Sequence, residues 1–225
     1  MKKRTLLITC SFLVFFVFLS VFLIPSNVSR QTKNSNSTML DQEKTMIHAD
    51  FVEIPFEESV LESDLVVKVK ILGIDSELET DLQSSIPKTI HIAEIMETYN
   101  NNLKTGDQIK IMQDGTIDTL VNGMPIFEEN DTFIFMLDSA TPKEKFPETY
   151  FIKKQYLTSE ETNQALDLNF GDSNFKDLQT ANDPKLNTEM EKISDQSTID
   201  KDSLSIISEE DLTNKIEEVL LNEEN

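Results

Sequence analysis

The sequence predicts a mainly β protein with a small five-stranded barrel, a short helix before the barrel and an amphipathic helix after it. Short runs of alternating apolar residues recur between residues 50 and 157, which is the spacing of half-buried strands. Turn-forming residues separate these runs, and the pattern of a long helix does not come between them. A closed or partly open barrel is favoured because it removes the exposed edges of a single sheet; a β-sandwich is the alternative.

The barrel domain, predicted over residues 50–157, begins with a helix and a strand. The helix starts at Pro55, which suits a first helical turn, and continues with the acidic Glu57 and Glu58. The strand Leu65–Leu72 follows and places lysines on its outer face. Its inward face comprises Leu65, Val67, Val69 and Ile71. This alternation indicates a half-buried strand.

The other four strands repeat this pattern. They are predicted at Thr89–Met96, Asp107–Met112, Thr132–Leu137 and Tyr150–Tyr156. Their expected inward residues are Ile90, Ile92, Ile109, Ile111, Phe133, Phe135, Leu137, Tyr150 and Ile152. Turns are predicted at Lys104–Asp107 and at Asn122–Gly123, because Gly and Asn tolerate a positive φ at little steric cost.

The chain after the barrel is acidic. Residues 158–225 hold 18 acidic residues and 5 lysines, and residues 158–207 are predicted to form a solvated, mostly disordered linker. A helix is then predicted over residues 208–222, beginning with Ser208 as a capping residue. Its apolar residues Leu212, Ile216, Val219 and Leu220 follow at helical spacing. A short helix is marginal alone in water, so we expect this apolar face to dock on the barrel.

Residues 1–24 have the character of a membrane anchor or a signal segment. Three basic residues precede the uncharged segment 5–24, whose helical length of about 30 Å matches the hydrocarbon thickness of a bilayer. The sequence therefore predicts a single-pass helix in the lipid bilayer with the rest of the chain extracytoplasmic. Cleavage after Ser26 or Ser29, which would release a secreted protein, is the alternative. Residues 25–49 read as a disordered tether.

Composition excludes several function classes. The formal net charge of −21 makes binding to nucleic acid unfavourable. The chain has one cysteine, Cys10, which lies in the apolar segment, and two histidines, His48 and His91. This inventory supports neither a disulfide framework nor a metal site with familiar ligand spacing. We therefore expect no cofactor, and no catalytic, cofactor-binding or metal-ligating residue is assigned.

Three motifs carry a family resemblance. They are Phe56–Lys70, which includes the Glu62-Ser63-Asp64 triplet, the Leu103–Lys110 segment with its Lys-Thr-Gly-Asp turn, and Pro125–Leu137. In this order they resemble a family of small exported domains of Gram-positive bacteria that fold as oligonucleotide/oligosaccharide-binding (OB) type barrels, as do the tissue inhibitors of metalloproteinases. Asn130 stands where the family usually has glycine. Most members are uncharacterised, so the resemblance implies a fold and an exported location and no site residues.

Two classes of function follow as hypotheses. The first is a non-enzymatic accessory protein of the bacterial cell envelope, anchored in the membrane, whose barrel binds another envelope protein or a cell-wall partner. The second is an envelope hydrolase with a carboxylate pair assembled by the fold, such as Glu94 with Asp107 or Asp114. A protease inhibitor acting through a barrel edge is a further alternative. We expect the first, without catalysis.

Overall fold

The structure is a computed structural model that describes residues 44–49, 54–78, 86–169, 175, 177–178, 182–196 and 204–223. These residues belong to the compact unit Glu43–Asn225. The membrane segment predicted at residues 5–24 and most of the predicted tether lie outside them. Within the described ranges, no helix is long and apolar enough to cross a membrane.

The described residues form nine strands and three helices. In chain order they are β1 (Thr45–Ile47), α1 (Phe56–Glu62), β2 (Leu65–Leu78), β3 (Lys88–Thr98), β4 (Gln108–Asp114), β5 (Thr119–Val121), β6 (Thr132–Ser139), β7 (Thr149–Ser159), β8 (Gln164–Asp167), α2 (Pro184–Gln196), β9 (Ser205–Ser208) and α3 (Glu209–Glu223). The fold is therefore mainly β, as predicted.

Seven strands make one sheet in the order β4–β3–β2–β6–β7–β8–β9. A parallel contact between Lys110–Met112 of β4 and Thr149–Phe151 of β7 bends this sheet into a ring of five strands. The ring is barrel-like only in part, because β7 also continues away from it to pair with β8 and then β9. A separate two-stranded sheet joins β1 and β5 in parallel.

The prediction of five strands located the ring but underestimated the strand number. The five predicted segments correspond to β2, β3, β4, β6 and β7; four lie fully within their strands, and the fifth begins one residue early, because β4 starts at Gln108 and Asp107 belongs to the preceding turn. The additional strands β1, β5, β8 and β9 are 3 or 4 residues long, too short for an alternating pattern to stand out. The tether prediction was also wrong at its end, because Thr45–Ile47 pairs with Thr119–Val121. Asn122 holds the next residues by accepting from Ala49 N at 2.9 Å and donating to Ala49 O at 2.9 Å.

The interior of the ring confirms most predicted inward faces. One buried core contains the predicted inward residues of three strands. They are the four residues of β2, the two isoleucines of β4, and Phe133, Phe135 and Leu137 of β6. Tyr150 and Ile152 of β7 pack against it while partly buried. β2 curves around this core with bulges, one of them at Gly73, where φ is 142°.

The predicted inward face of β3 was wrong. Ala93 and Ile95 pair with Ile71 and Val69, whose side chains point inward, so Ala93 and Ile95 share that face. His91 continues the same inward row, whereas Ile90 and Ile92 lie on the outer face. Apolar residues occupy both faces of β3, and the pairing with β2 selects the inner one.

Two helices cover the outer side of the sheet and form a second core. Val66 of β2, together with Ile134 and Met136 of β6, packs with residues of α1 and α3. Ser208 Oγ accepts from Asp211 N at 3.2 Å, which is the predicted cap of α3. The helix predicted over residues 208–222 thus docks on the sheet, and β2 and β6 are buried on both faces.

The prediction of a disordered linker over residues 158–207 was wrong for its described part, which contains β8, α2 and β9. Helix α2 buries Leu186, Met190 and Ile193 in the core of the ring. Asp183 begins this helix by accepting from Lys185 N at 2.6 Å and Leu186 N at 3.3 Å. The apolar residues of α2 recur at helical spacing, but the acidic composition around them conceals the pattern.

Candidate ligand-binding cleft

A cleft of about 360 Å³ opens where β4 and β7 stop pairing. The two strands run together as far as Met112 and Phe151. Beyond this point Gln113 and Ile152 line opposite walls of the cleft. Ligand clefts have volumes of about 300–1,000 Å³, so this cleft suits a small or partly inserted ligand.

The inner part of the cleft is apolar and reaches the core of the ring. Met124 and Leu168 belong to that core and also line the cleft. Val121 of β5 and Ile54, just before α1, contribute further apolar surface. Methionine adapts its shape to irregular partners, which suits a wall that accommodates an inserted group.

The outer rim of the cleft is charged. Lys88, the first residue of β3, forms a salt bridge with Asp114, and its Nζ lies 5.6 Å from the centre of the Phe151 ring. Lys153 and Lys154 also line the cleft. Lys153 pairs with Asp138, with 3.3 Å between Nζ and Oδ2. Three lysines and one aspartate therefore line a cleft in a strongly acidic chain.

The Gln113 side chain connects the cleft wall to the interior of the ring. Its Nε2 donates to Pro125 O at 2.8 Å, and its Oε1 accepts from Phe127 N at 3.1 Å. These two bonds set the orientation of the amide, so His91 Nε2, 3.0 Å from the same oxygen, must be the protonated ring nitrogen. The amide thus holds the segment that carries Met124 against β4.

His91 is a fully buried, neutral side chain. Burial lowers the pKa of its imidazole to about 4, while the bond to Gln113 and the charge of Asp131 oppose this shift. Its Nδ1 is buried and has no hydrogen-bond partner among the described residues. The ring packs against Phe127, with 5.1 Å between the ring centres. These contacts give His91 a structural position inside the ring.

The opposite wall is held by Asn169. Its Oδ1 accepts from Gln155 N at 2.9 Å, and its Nδ2 donates to Gln155 O at 3.1 Å. Asn169 is itself positioned by Asp167, whose Oδ1 accepts from Asn169 N at 3.0 Å. The side-chain amides of Gln113 and Asn169 are therefore used in internal bonds that define the shape of the cleft.

The fold does not bring the Glu94 and Asp114 carboxylates together. Glu94 pairs with Gln108 at one end of the β3–β4 ladder, and Asp114 pairs with Lys88 at the other. Six residues of strand separate these positions, a distance of about 20 Å. The other predicted partner, Asp107, closes a turn, where its Oδ2 accepts from Lys104 N at 2.8 Å.

The remaining residues considered from the sequence have local roles. Glu57 and Glu58 lie in the first turn of α1. Asn130 adopts a φ of 73°, a left-handed conformation that asparagine tolerates in a turn. His48 is exposed beside β1. In the described part of the chain, no group of three His, Cys, Asp or Glu residues is arranged to hold a metal ion.

The residues that build the cleft carry no sequence motif. Gln113, Gln155 and Asn169 are common polar residues, and Lys88 looks like any lysine at the start of a strand. They come together only because β4 meets β7 in the closed ring.

Comparisons with known proteins do not extend this picture. A scan against protein-family models finds no matching family, and a search of curated proteins also finds no match.

Proposed function

We propose that this chain is a non-catalytic binding protein of the bacterial cell envelope, anchored in the membrane by residues 5–24 with its barrel domain outside. The ligand of the barrel is another envelope protein or a cell-wall component. The observation that carries this proposal is the cleft between β4 and β7, because it combines an apolar interior with a charged rim and walls held by internal hydrogen bonds. Small, mostly apolar clefts with a few positioned polar groups are the usual form of binding sites.

We further propose that the ring is an OB-type barrel of the exported family that the sequence resembles. Its strand order β4–β3–β2–β6–β7 with a parallel contact between β4 and β7 supports this assignment. Nucleic acid remains an unsuitable ligand, because the net charge of −21 repels a polyanion and fold similarity alone does not imply function.

The chemistry of the cleft favours binding over catalysis. The amides of Gln113 and Asn169 are committed to structural hydrogen bonds, and the His91 imidazole is held neutral inside the ring. Among the described residues, Asp114 is the acidic residue that lines the cleft, and its carboxylate forms a salt bridge with Lys88. A general acid–base mechanism needs a second, suitably placed proton-transfer group.

A capture experiment with the full-length chain tests this proposal. The tagged protein is cross-linked in intact cells, solubilised in detergent and purified, and the retained proteins and wall fragments are quantified by mass spectrometry. The double substitution Lys88→Gln and Phe151→Ala alters the rim, whereas Lys110→Gln removes a lysine from another exposed ion pair, with Asp75. We expect a retained partner that is lost with the double variant and kept with Lys110→Gln.

Equal retention by all three proteins, or no specific retention by the unsubstituted protein, would contradict a binding role of the cleft. Exposure to external protease tests the orientation. Cleavage of the barrel domain in cells with an intact membrane is expected, and complete protection would contradict an extracytoplasmic location.

A further inference from the structure

We propose that the cleft takes an extended, acidic peptide, which adds as a strand alongside the diverging ends of β4 and β7. This inference deepens the proposed binding function and depends on it, because it names the chemical class of the ligand. It rests on the backbone geometry of the cleft, on its apolar interior and on the charge of its rim.

The backbone geometry comes from the way in which the ring closes. Gln113 and Asp114 of β4 pair with Thr89 and Lys88 of β3, but the pairing between β4 and β7 ends at Met112. On the other wall, Ile152 pairs with Leu137 of β6. Strand edges that turn away from each other direct backbone N–H and C=O groups into the space between them, where an extended peptide forms ladder hydrogen bonds.

The apolar interior suits the alternate side chains of such a strand. Successive side chains of an extended peptide point to opposite sides, so every second residue faces Val121, Met124 and Leu168. The intervening residues face the rim. The cleft volume of about 360 Å³ admits a short segment of an extended peptide.

The rim selects an acidic partner. Three lysines and one aspartate line the cleft of a chain whose net charge is −21, and Asp138 and Glu62 pair with Lys153, so Lys88 with its exposed partner Asp114 is the cation of the rim that carries the argument. The salt bridge between Lys88 and Asp114 is solvent-accessible, since 48% of the Asp114 side chain is exposed. A carboxylate of the peptide can therefore join or replace Asp114 at Lys88 with little desolvation.

A glycan fits this cleft less well than a peptide. Sugar hydroxyls require polar side chains whose hydrogen-bonding groups are available. The amide of Gln113 already bonds to Pro125 and Phe127, and the amide of Asn169 bonds to both backbone groups of Gln155. Backbone groups of the strand edges are the better hydrogen-bonding partners, and a peptide matches their spacing.

Fluorescence anisotropy with the full-length chain in detergent tests the inference. The probe is a labelled six-residue peptide in which valine and glutamate alternate. One matched peptide replaces glutamate by lysine, and another carries N-methyl groups on alternate backbone amides. We expect saturable binding of the first peptide, no binding of the lysine peptide, and at least about tenfold weaker binding of the methylated peptide, because methylation removes backbone donors.

Substitutions in the chain provide the second arm. Lys88→Gln is expected to weaken binding of the glutamate peptide about fivefold, and the matched variant Lys110→Gln is expected to leave it unchanged. Met124→Phe fills the inner cleft and is expected to abolish binding. If Met124→Phe does not fold, as judged by circular dichroism, the methylated peptide and Lys88→Gln still decide the outcome.

Equal binding of the methylated peptide would overturn strand addition, and equal binding of the lysine peptide would overturn the selection of an acidic partner. Absence of binding by the glutamate peptide, together with cleft-dependent capture of an envelope partner, would overturn the peptide inference while leaving the proposed binding function intact. Dimerisation that blocks the cleft against the peptide, seen by analytical ultracentrifugation, would also overturn it and identify a second copy as the occupant.

Discussion

Replacing His91 by glutamine removes a titrating group from the interior of the ring while leaving an amide N–H to donate to Gln113. The wild-type imidazole is neutral in the folded protein because burial lowers its pKa from 6.5 to about 4. In the unfolded chain the same group regains its ordinary pKa. The unfolded state therefore binds more protons between these two values, and acidification favours unfolding.

The size of this effect follows from the two pKa values. The stability that neutral His91 contributes is present in full above a pH of about 6.5 and is lost as the pH falls towards about 4. Between about pH 7 and pH 5, protonation of the unfolded chain lowers the free energy of unfolding by about 2 kcal/mol. For a domain of this size, that change corresponds to a shift of about 4–8 °C in Tm.

Urea unfolding of residues 43–225, followed by far-ultraviolet circular dichroism at the two pH values, measures this difference. Carboxylates also titrate in this range. The relevant quantity is therefore the decrease in the free energy of unfolding between the two pH values in wild type, minus the same decrease in His91→Gln. The exposed His48, replaced in the same way, is the matched control, and His48→Gln is expected to retain the wild-type loss. If wild type and His91→Gln lose the same stability between about pH 7 and pH 5, His91 is not a buried neutral group.

Two further substitutions test other parts of the fold. Asp183→Ala removes the cap of α2 and is expected to lower the free energy of unfolding, measured in urea, by about 1 kcal/mol. The control Asp195→Ala lies in the last turn of the same helix. It is expected to leave the free energy of unfolding unchanged or to raise it slightly. Equal effects would contradict the capping role. Gly115→Ala places a Cβ 2.8 Å from Thr119 O, at a residue whose φ is 101°. Gly106 has a similar φ of 92°, but a Cβ added there meets no atom within 4 Å. Gly115→Ala is therefore expected to lower Tm more than Gly106→Ala. The reverse order would refute the close contact at Gly115.

Local patterns predicted the elements that depend on neighbouring residues. Alternating apolar residues located β2, β4 and β6 because the side chains of a strand that point to the core of the ring must recur at every second position. The turn at Asn122 and Gly123 was predictable because both residues tolerate a positive φ, and both adopt one. The cap at Ser208 was predictable because capping involves residues three positions apart.

Features that depend on distant residues escaped these patterns. β3 is apolar on both faces, and only its pairing with β2 determines that His91 points inward. The three buried residues of α2 are few within an acidic segment, and the helix is stable there because it packs on the core of the ring. Its ion pair between Lys185 and Asp131, at 2.7 Å, joins residues more than fifty positions apart.

The amino-acid order alone was sufficient to assign the mainly β fold class and to locate the five strands of the ring, because periodicity and turn chemistry act over a few residues. The cleft arises only in three dimensions. It exists because β4 and β7, which lie far apart in the chain, pair over three residues and then separate. As a result, distant residues such as Lys88 and Leu168 line the same cleft. Ring closure depends on the summed twist and register of all five strands, and a local stretch of residues does not encode that sum.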